Sequence, residues 1–251
     1  MMRPLDKGAI PIDALGNPII VTNYTYWRDK LIDRIGYYCA YCNMPLSHSL
    51  QVEHVVPKNP LGPAPGDPLA WSNMLLACGP CNNAKSDDPV DFVTYYFPEE
   101  HNTLFPFRIR LNISNDAAFV VPTNGINPIQ LAKSTATINL TALDVKDNRS
   151  NIVDIRWKKR KDAIITVEAA FEVYQLLKLV PTFDAARSAH NILQFAIPCG
   201  FFSLWFEKFE NEPEVMEALI NGLPGTAIIC FDPANGYRPM HRNPINVADP
   251  F

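Results

Sequence analysis

The stretch QVEHVVPK, residues 51–58, places a carboxylate next to an imidazole near the end of a predicted β-strand. Successive side chains of a strand point to opposite faces, so Glu53 and His54 are expected to meet different surroundings. Pro57 ends the strand, because a proline has no N–H to donate to a strand ladder. Lys58, which follows it, either contacts a phosphate or is simply solvated. What the acid and the base do together depends on the sequence on either side.

Two C-x-x-C pairs flank this stretch, CAYC at 39–42 and CGPC at 78–81. A C-x-x-C turn directs two thiolates at one ion, and Zn²⁺ prefers four such ligands in a tetrahedron. The predicted ligands of a structural zinc are Cys39, Cys42, Cys78 and Cys81. The 35 residues between the pairs exceed the spacer of a single zinc ribbon, so a sizeable insertion is expected there. A redox role for either pair is the alternative interpretation.

The composition is that of a globular protein, with 47% apolar and 19% charged residues in a chain of 251. The sequence has no apolar run of 18 residues, so no membrane-spanning helix is expected. The first twenty residues lack a secretory signal pattern, which favours a cytoplasmic protein. A net charge of −4 argues against non-specific coating of nucleic acid, but it is compatible with a nuclease that has local basic residues. The isolated Cys199 and Cys230 are interpreted as buried small side chains.

Hydrophobic spacing and turn residues divide the chain into three predicted parts. They are an N-terminal arm and helix, 1–36; a core with both cysteine pairs, 37–100; and a mainly helical C-terminal region, 101–251. A helix over 24–36 is expected to end at Gly36, and strands are expected within 104–121. Further helices are predicted over 127–140, 147–180, 182–196 and 199–221, with apolar residues recurring at three and four within 152–180. Trp205 is expected to lie in the core.

The residues between and just after the cysteine pairs form an ordered pattern: Glu53-His54-x-x-Pro57, Trp71-x-Asn73 and Asn82-x-x-Lys85. Together with the cysteines, this order and spacing resembles the HNH nuclease motif in its four-cysteine form, over residues 37–90. The resemblance implies an α+β fold in which a ββα-metal core, stapled by a four-cysteine zinc site, precedes a mainly helical C-terminal region. SLQVEHVV would supply the first strand, WSNMLLA the second, and CNNAKSDD would open the helix.

The resemblance also implies a role for each motif residue in the hydrolysis of DNA. His54 would be the general base, since a neutral imidazole with a pKa of about 6.5 accepts a proton at cell pH. Glu53 and Asn82 would bind a catalytic Mg²⁺ or Mn²⁺, because these ions prefer oxygen ligands. Asn73 would hold the base in its orientation.

Two positions depart from the motif. Many HNH proteins have an aspartate where this chain has Glu53, and several have a histidine four residues after the second ligand, where this chain has Ser86. The third protein ligand of the ion is therefore left open. Asp87 or Asp88 could serve, or both could be solvated acids.

The pattern, followed by a helical region, is similar to the HNH components of antiphage defence systems of the Septu and retron-associated types. The similarity implies a DNA substrate and an ATPase partner that supplies DNA binding and control; no membrane is implied. A catalytically inactive, zinc-stapled binding module and a stand-alone restriction-type nuclease are the alternatives. The basic run RWKKRK, 156–161, is either a phosphate-binding element or an exposed helix face.

Overall fold

The computed structural model describes residues 2–46, 49–59, 65–146 and 154–251. Within these ranges the α-helices are α1 Trp27–Ile35, α2 Gly79–Lys85, α3 Pro128–Thr141, α4 Arg156–Leu177, α5 Ala185–Cys199, α6 Phe202–Lys208 and α7 Pro213–Gly222. The strands form antiparallel pairs: β1 Gln51–His54 with β2 Met74–Ala77, β3 Phe107–Leu111 with β4 Ala118–Pro122, and β5 Phe231–Asp232 with β6 Arg238–Pro239. The predicted mixture of helices and strands is confirmed.

The hairpin of β1 and β2 lies between the two cysteine pairs. Its register places Glu53 opposite Leu75 and His54 opposite Met74. The four residues of β2 are all buried, which explains its unbroken apolar sequence. Helix α2 follows at once, with Pro80 in the first turn, where a missing N–H leaves no helical hydrogen bond unmade. The helix starts two residues before the predicted start at Cys81.

The predicted helix over 24–36 is confirmed, with a 3-10 turn at Tyr24–Tyr26 before α1. Gly36 ends α1 with a φ of 77°, a conformation that favours glycine. The buried face of α1 packs on the β1–β2 hairpin. There Trp27 meets Trp71 edge to face, with ring centroids 5.3 Å apart. This packing fixes the position of the hairpin relative to the N-terminal arm.

The predicted helix over 199–221 is wrong, because two helices, α6 and α7, occupy this range. Pro213 has no N–H to continue a helix, and it begins α7 instead. The long helix predicted over 147–180 is α4, which begins at Arg156 and ends at Leu177; the predicted part over 147–153 lies outside the described residues. No helix of the described residues is both long and apolar enough to span a membrane.

The C-terminal region packs directly against the loop that carries the first cysteine pair. The N–H of Phe201 donates to the Asn43 carbonyl at 2.9 Å, and the Tyr38 hydroxyl donates to the Ile197 carbonyl at 2.9 Å. Gly200, at φ 68°, lies so close to the backbone of Asn43 that a Cβ at this position would be 2.6 Å from the Asn43 carbonyl oxygen. Trp205 is fully buried, as predicted. The division of the chain at residues 36 and 100 stays a prediction.

A buried polar cluster joins the C-terminal segment to α3. The Lys133 ammonium lies 2.9 Å from His101 Nε2 and 3.0 Å from Asp249 Oδ2. The Tyr96 hydroxyl donates to Asp249 Oδ1 at 2.7 Å. Burial, together with the positive charge of Lys133, lowers the pKa of His101 to about 4.

We expect His101 to destabilise the fold as the pH falls from 7 to 5. The unfolded chain takes up a proton at this residue below about pH 6.5, whereas the folded protein takes it up only near pH 4, so the stabilising contribution is lost through this window. The expected loss is about 2 kcal/mol in the free energy of unfolding. Urea titrations of the wild type and of His101→Gln at both pH values measure it. An equal pH dependence in both proteins would contradict the assignment.

Candidate metal centre and active site

The four cysteines of the two C-x-x-C pairs form one buried cluster. Their Sγ atoms all lie within 4.8 Å of one another. Tetrahedral zinc with Zn–S bonds of about 2.3 Å separates its sulfurs by about 3.8 Å, and the Sγ atoms of Cys42 and Cys78 are 3.8 Å apart. Four buried thiols at this spacing fit a structural Zn²⁺. The prediction that these cysteines form one metal-binding cluster is confirmed.

Two short local structures bring the cysteines together. The CAYC turn is closed by the Asn43 N–H, which donates to the Cys39 carbonyl, while the Ala40 N–H donates to the Leu76 carbonyl of β2. On the other side, Cys78 is the N-cap of α2, and Cys81 lies in its first turn. A zinc ion held here would therefore tie the turn before β1 to the start of α2.

Glu53 is almost fully buried and already engages both of its carboxylate oxygens. The Lys85 ammonium, itself 1% exposed, lies 2.7 Å from Oε1, and the Tyr41 hydroxyl donates to Oε2 at 2.5 Å. Lys85 also donates to the His54 carbonyl at 2.8 Å. Burial raises the pKa of Glu53, and Lys85 and Tyr41 oppose this shift. The carboxylate of Glu53 is therefore already paired with a cation, the ammonium of Lys85.

Asn82 faces the same strand from α2. Its Nδ2 donates to Gln51 Oε1 at 2.8 Å, and Gln51 shares a face of β1 with Glu53 because side chains alternate. A carboxylate and an amide at this junction suit Mg²⁺ or Mn²⁺ chemically, although an ion at Glu53 would have to displace Lys85. The ligand roles of Glu53 and Asn82 remain predictions.

The structure adds no third ligand to this pair. Asp87 and Asp88 are exposed beyond the end of α2, and Ser86 is its C-cap. Among the described residues, the four cysteines are the only group of three or more His, Cys, Asp or Glu close enough to share an ion. A catalytic ion would therefore depend on water and substrate oxygens for its remaining ligands, which is common for Mg²⁺.

His54 lies half-buried at the end of β1. Its Nε2 is 3.1 Å from the Pro68 carbonyl oxygen, and its ring packs on Tyr24 with centroids 4.6 Å apart. Burial lowers the pKa of His54; the Pro68 carbonyl opposes this shift, and Lys58 adds to it. A neutral imidazole that donates from Nε2 to Pro68 leaves Nδ1 as the basic nitrogen. Sequence reasoning missed the contacts with Tyr24 and Pro68, for which no local signal exists.

Asn73 is buried and binds backbone groups on either side of the β1–β2 connection. Its Oδ1 accepts from the Val56 N–H at 2.8 Å. Its Nδ2 donates to the carbonyls of Val56 and Asp67 at 2.9 and 3.0 Å. These bonds fix the segment that carries the Pro68 carbonyl, so Asn73 is placed to orient His54 through the backbone. Its predicted role in orienting the base remains a prediction.

Both interpretations of RWKKRK, as a phosphate-binding element and as an exposed helix face, need correction at its arginines, because Arg156 and Arg160 are each only 1% exposed. The two arginines are four residues apart, and a helical period of 3.6 therefore puts them on one face. That face continues through the buried Ala163 and Val167. The lysines of the run reach solvent, and Trp157 does so in part.

The two isolated cysteines lie outside the zinc cluster. Cys230 is buried as expected and Cys199 is half-buried; burial raises the pKa of both thiols to about 11.

Comparison with known proteins bears on the same stretch. No curated protein matches the chain. Residues 39–88 match the family model of the HNH endonucleases. The matched range begins at the first zinc-cluster cysteine, contains His54 and ends three residues after α2. The chain therefore carries, from Cys39 to Asp88, a segment that matches the HNH endonuclease family.

Proposed function

We propose that the protein is a metal-dependent HNH endonuclease that hydrolyses phosphodiester bonds of DNA. The match of residues 39–88 to the HNH family is the observation that carries the proposal. The order β1, β2, α2 between and within the cysteine pairs supports a ββα-metal arrangement for this segment. The half-exposed imidazole at the end of β1 supports a reaction at that surface.

In the proposed mechanism, His54 takes the proton of the attacking water at Nδ1. Pro68 and Tyr24 hold the ring, and Asn73 braces the loop that presents the Pro68 carbonyl. Lys58, whose ammonium lies 5.0 Å from the Tyr24 ring centroid, is close enough to this surface to meet a phosphate. A Mg²⁺ or Mn²⁺ ion held by Glu53 and Asn82 would supply positive charge to the phosphate when bound.

The cellular role is proposed from the sequence pattern alone. We propose an effector nuclease of an antiphage defence system that works with an ATPase partner; a stand-alone restriction-type nuclease is the alternative. Because the net charge of the chain is −4, a partner that supplies positive surface would assist DNA binding. Plasmid nicking by the purified protein in Mg²⁺ or Mn²⁺, with and without the product of the neighbouring gene, separates these roles.

A second candidate function is a zinc-stapled binding module without catalysis. The buried Glu53–Lys85 pair favours it, since both oxygens of the predicted ligand are already used. Binding of a divalent ion at Glu53 distinguishes the nuclease from the binding module, because a module without catalysis does not need a catalytic ion.

We expect Glu53→Gln to abolish Mn²⁺ binding to the zinc-loaded protein. The substitution removes the negative charge that would hold the ion, and it also leaves Lys85 buried without its counter-ion. Breaking such a pair lowers the free energy of unfolding by about 3–5 kcal/mol. Isothermal titration calorimetry with Mn²⁺, on samples of equal zinc content, measures binding without requiring activity.

Tyr41→Phe is the matched control, because it removes the other contact of the carboxylate but keeps its charge. This variant should bind Mn²⁺ like the wild type. Equal Mn²⁺ binding by the wild type and Glu53→Gln would remove Glu53 from the ligand set. If no protein in the series binds Mn²⁺, the binding-module function is favoured.

A further inference from the structure

The first turn of α4 lies against the cysteine cluster. Arg156 Nη1 donates to Cys81 Sγ at 2.9 Å and to the Thr141 carbonyl at 2.9 Å. Its Nη2 donates to the Ala142 carbonyl at 2.8 Å, and Asp154 pairs with the guanidinium at 2.7 Å. The side chain is 1% exposed. A cation so fully bonded, with one bond to a zinc-ligand sulfur, is held in a single orientation.

Arg160 lies one turn further along the same face and is also 1% exposed. Its Nη1 donates to the Ala118 carbonyl at 3.2 Å, but its Nε and Nη2 have no partner in the described ranges. An isolated buried charge is strongly unfavourable. Arg160 lies one helical turn from Arg156, whose Nη1 contacts Cys81 Sγ, so both arginines are on the side of α4 that faces the cysteine cluster. Burial lowers the pKa of Arg160, and negative charge on Cys42, Cys81 and Asp154 opposes this shift.

The charge of the metal site supplies the missing compensation. A Zn²⁺ ion with four thiolates has two excess negative charges, and burial makes such a net charge costly. Asp154 is already paired with Arg156. The positive charges of Arg156 and Arg160 reduce this excess negative charge. The hydrogen bond from Arg156 to Cys81 also stabilises the Cys81 thiolate against protonation.

We propose that Arg156 and Arg160 belong functionally to the zinc site, Arg156 as a hydrogen-bond donor to the Cys81 thiolate and both as compensating charges. The C-terminal region then determines how tightly the two cysteine pairs retain zinc. The proposal depends on the fit of the four cysteines to zinc and is independent of any nuclease activity.

Arg156→Met tests the hydrogen bond. The affinity for zinc should fall about 10–100-fold, the range found when partners of metal ligands are removed, and zinc release to a chromophoric chelator should become faster. In the cobalt-substituted protein, the sulfur-to-cobalt charge-transfer band should move to longer wavelength, because a thiolate without its donor gives up electron density more readily. Lys158→Met, an exposed change on the same helix, should alter neither quantity. An unchanged cobalt spectrum and release rate in Arg156→Met would overturn the proposed bond.

Arg160→Met tests charge compensation without touching a zinc-ligand contact. Zinc release should accelerate in Arg160→Met but stay close to the wild-type rate in Arg160→Lys, which keeps a positive charge at this position. Rescue by lysine would not follow from a purely packing role of the arginine side chain. Equal zinc release by Arg160→Met and the wild type, or equally fast release by Arg160→Met and Arg160→Lys, would overturn the charge argument.

Discussion

Replacement of His54 by alanine is expected to abolish metal-dependent nicking of supercoiled DNA while leaving zinc content and melting temperature close to the wild type. A positioned general base contributes roughly 10²–10⁴-fold to such a reaction. The imidazole is only half-buried, and its contacts are a backbone carbonyl and one face of Tyr24. Its loss should therefore remove chemistry rather than the fold. Conversion of supercoiled plasmid to the nicked form, in Mg²⁺ or Mn²⁺, measures the effect.

His190→Ala is a suitable control for this experiment, since His190 is exposed on α5, outside the matched HNH segment. It should nick DNA at the wild-type rate. Equal activity of the wild type and His54→Ala would show a wrong base or a contaminating nuclease. If neither protein is active by itself, the assay is repeated in the presence of the product of the neighbouring gene. Nicking by the wild type but not by His54→Ala in that assay would restore the assignment of His54 as the base.

Replacement of Cys78 by serine is expected to have the largest effect on stability. A serine hydroxyl is a poor zinc ligand, and loss of the metal would leave three buried thiols in place of the negatively charged site that faces Arg156 and Arg160. Zinc binding contributes roughly 10–16 kcal/mol to the folding of isolated zinc-finger peptides, so the stretch from β1 to α2 should unfold. Zinc stoichiometry and limited proteolysis of this stretch provide the measurements.

Cys230→Ser is the matched control, because Cys230 is equally buried but lies outside the cluster. Its cost should be limited to burial of one hydroxyl, about 1–3 kcal/mol, with full zinc content. If Cys78→Ser retains zinc and resists proteolysis like Cys230→Ser, the four-cysteine zinc site is wrong.

Local patterns were sufficient to predict the cysteine cluster and much of the fold. A C-x-x-C turn constrains two sulfurs within four residues, so spacing alone implies one ion. Gly36 and the apolar spacing of α1 predicted that helix and its end, because both signals are local. The break between α6 and α7 had a local signal as well: Pro213 was visible within the range assigned to one helix.

The partners of the buried charges could not be predicted in the same way. Strand alternation indicated that Glu53 and His54 face different surroundings, but not that Lys85 would reach the carboxylate. That contact depends on how α2 lies across β1, which is a tertiary property. For Arg156 a signal did exist, because four-residue spacing aligns it with Arg160 on an apolar face of α4. RWKKRK was interpreted from its positive charge, and the four-residue spacing of its two arginines was not used.

The close approach of Gly200 to Asn43 affects whether residues 39–88 could be transferred from one protein to another by recombination. Residues 39–88 resemble a family, but their first turn relies on the Phe201 N–H, and their last zinc cysteine contacts Arg156. A recombination that moved only those residues would transfer the proposed catalytic side chains without the contacts that hold the cysteine turns in place. We expect the shortest segment that keeps its fold after such a transfer to extend at least through Phe201.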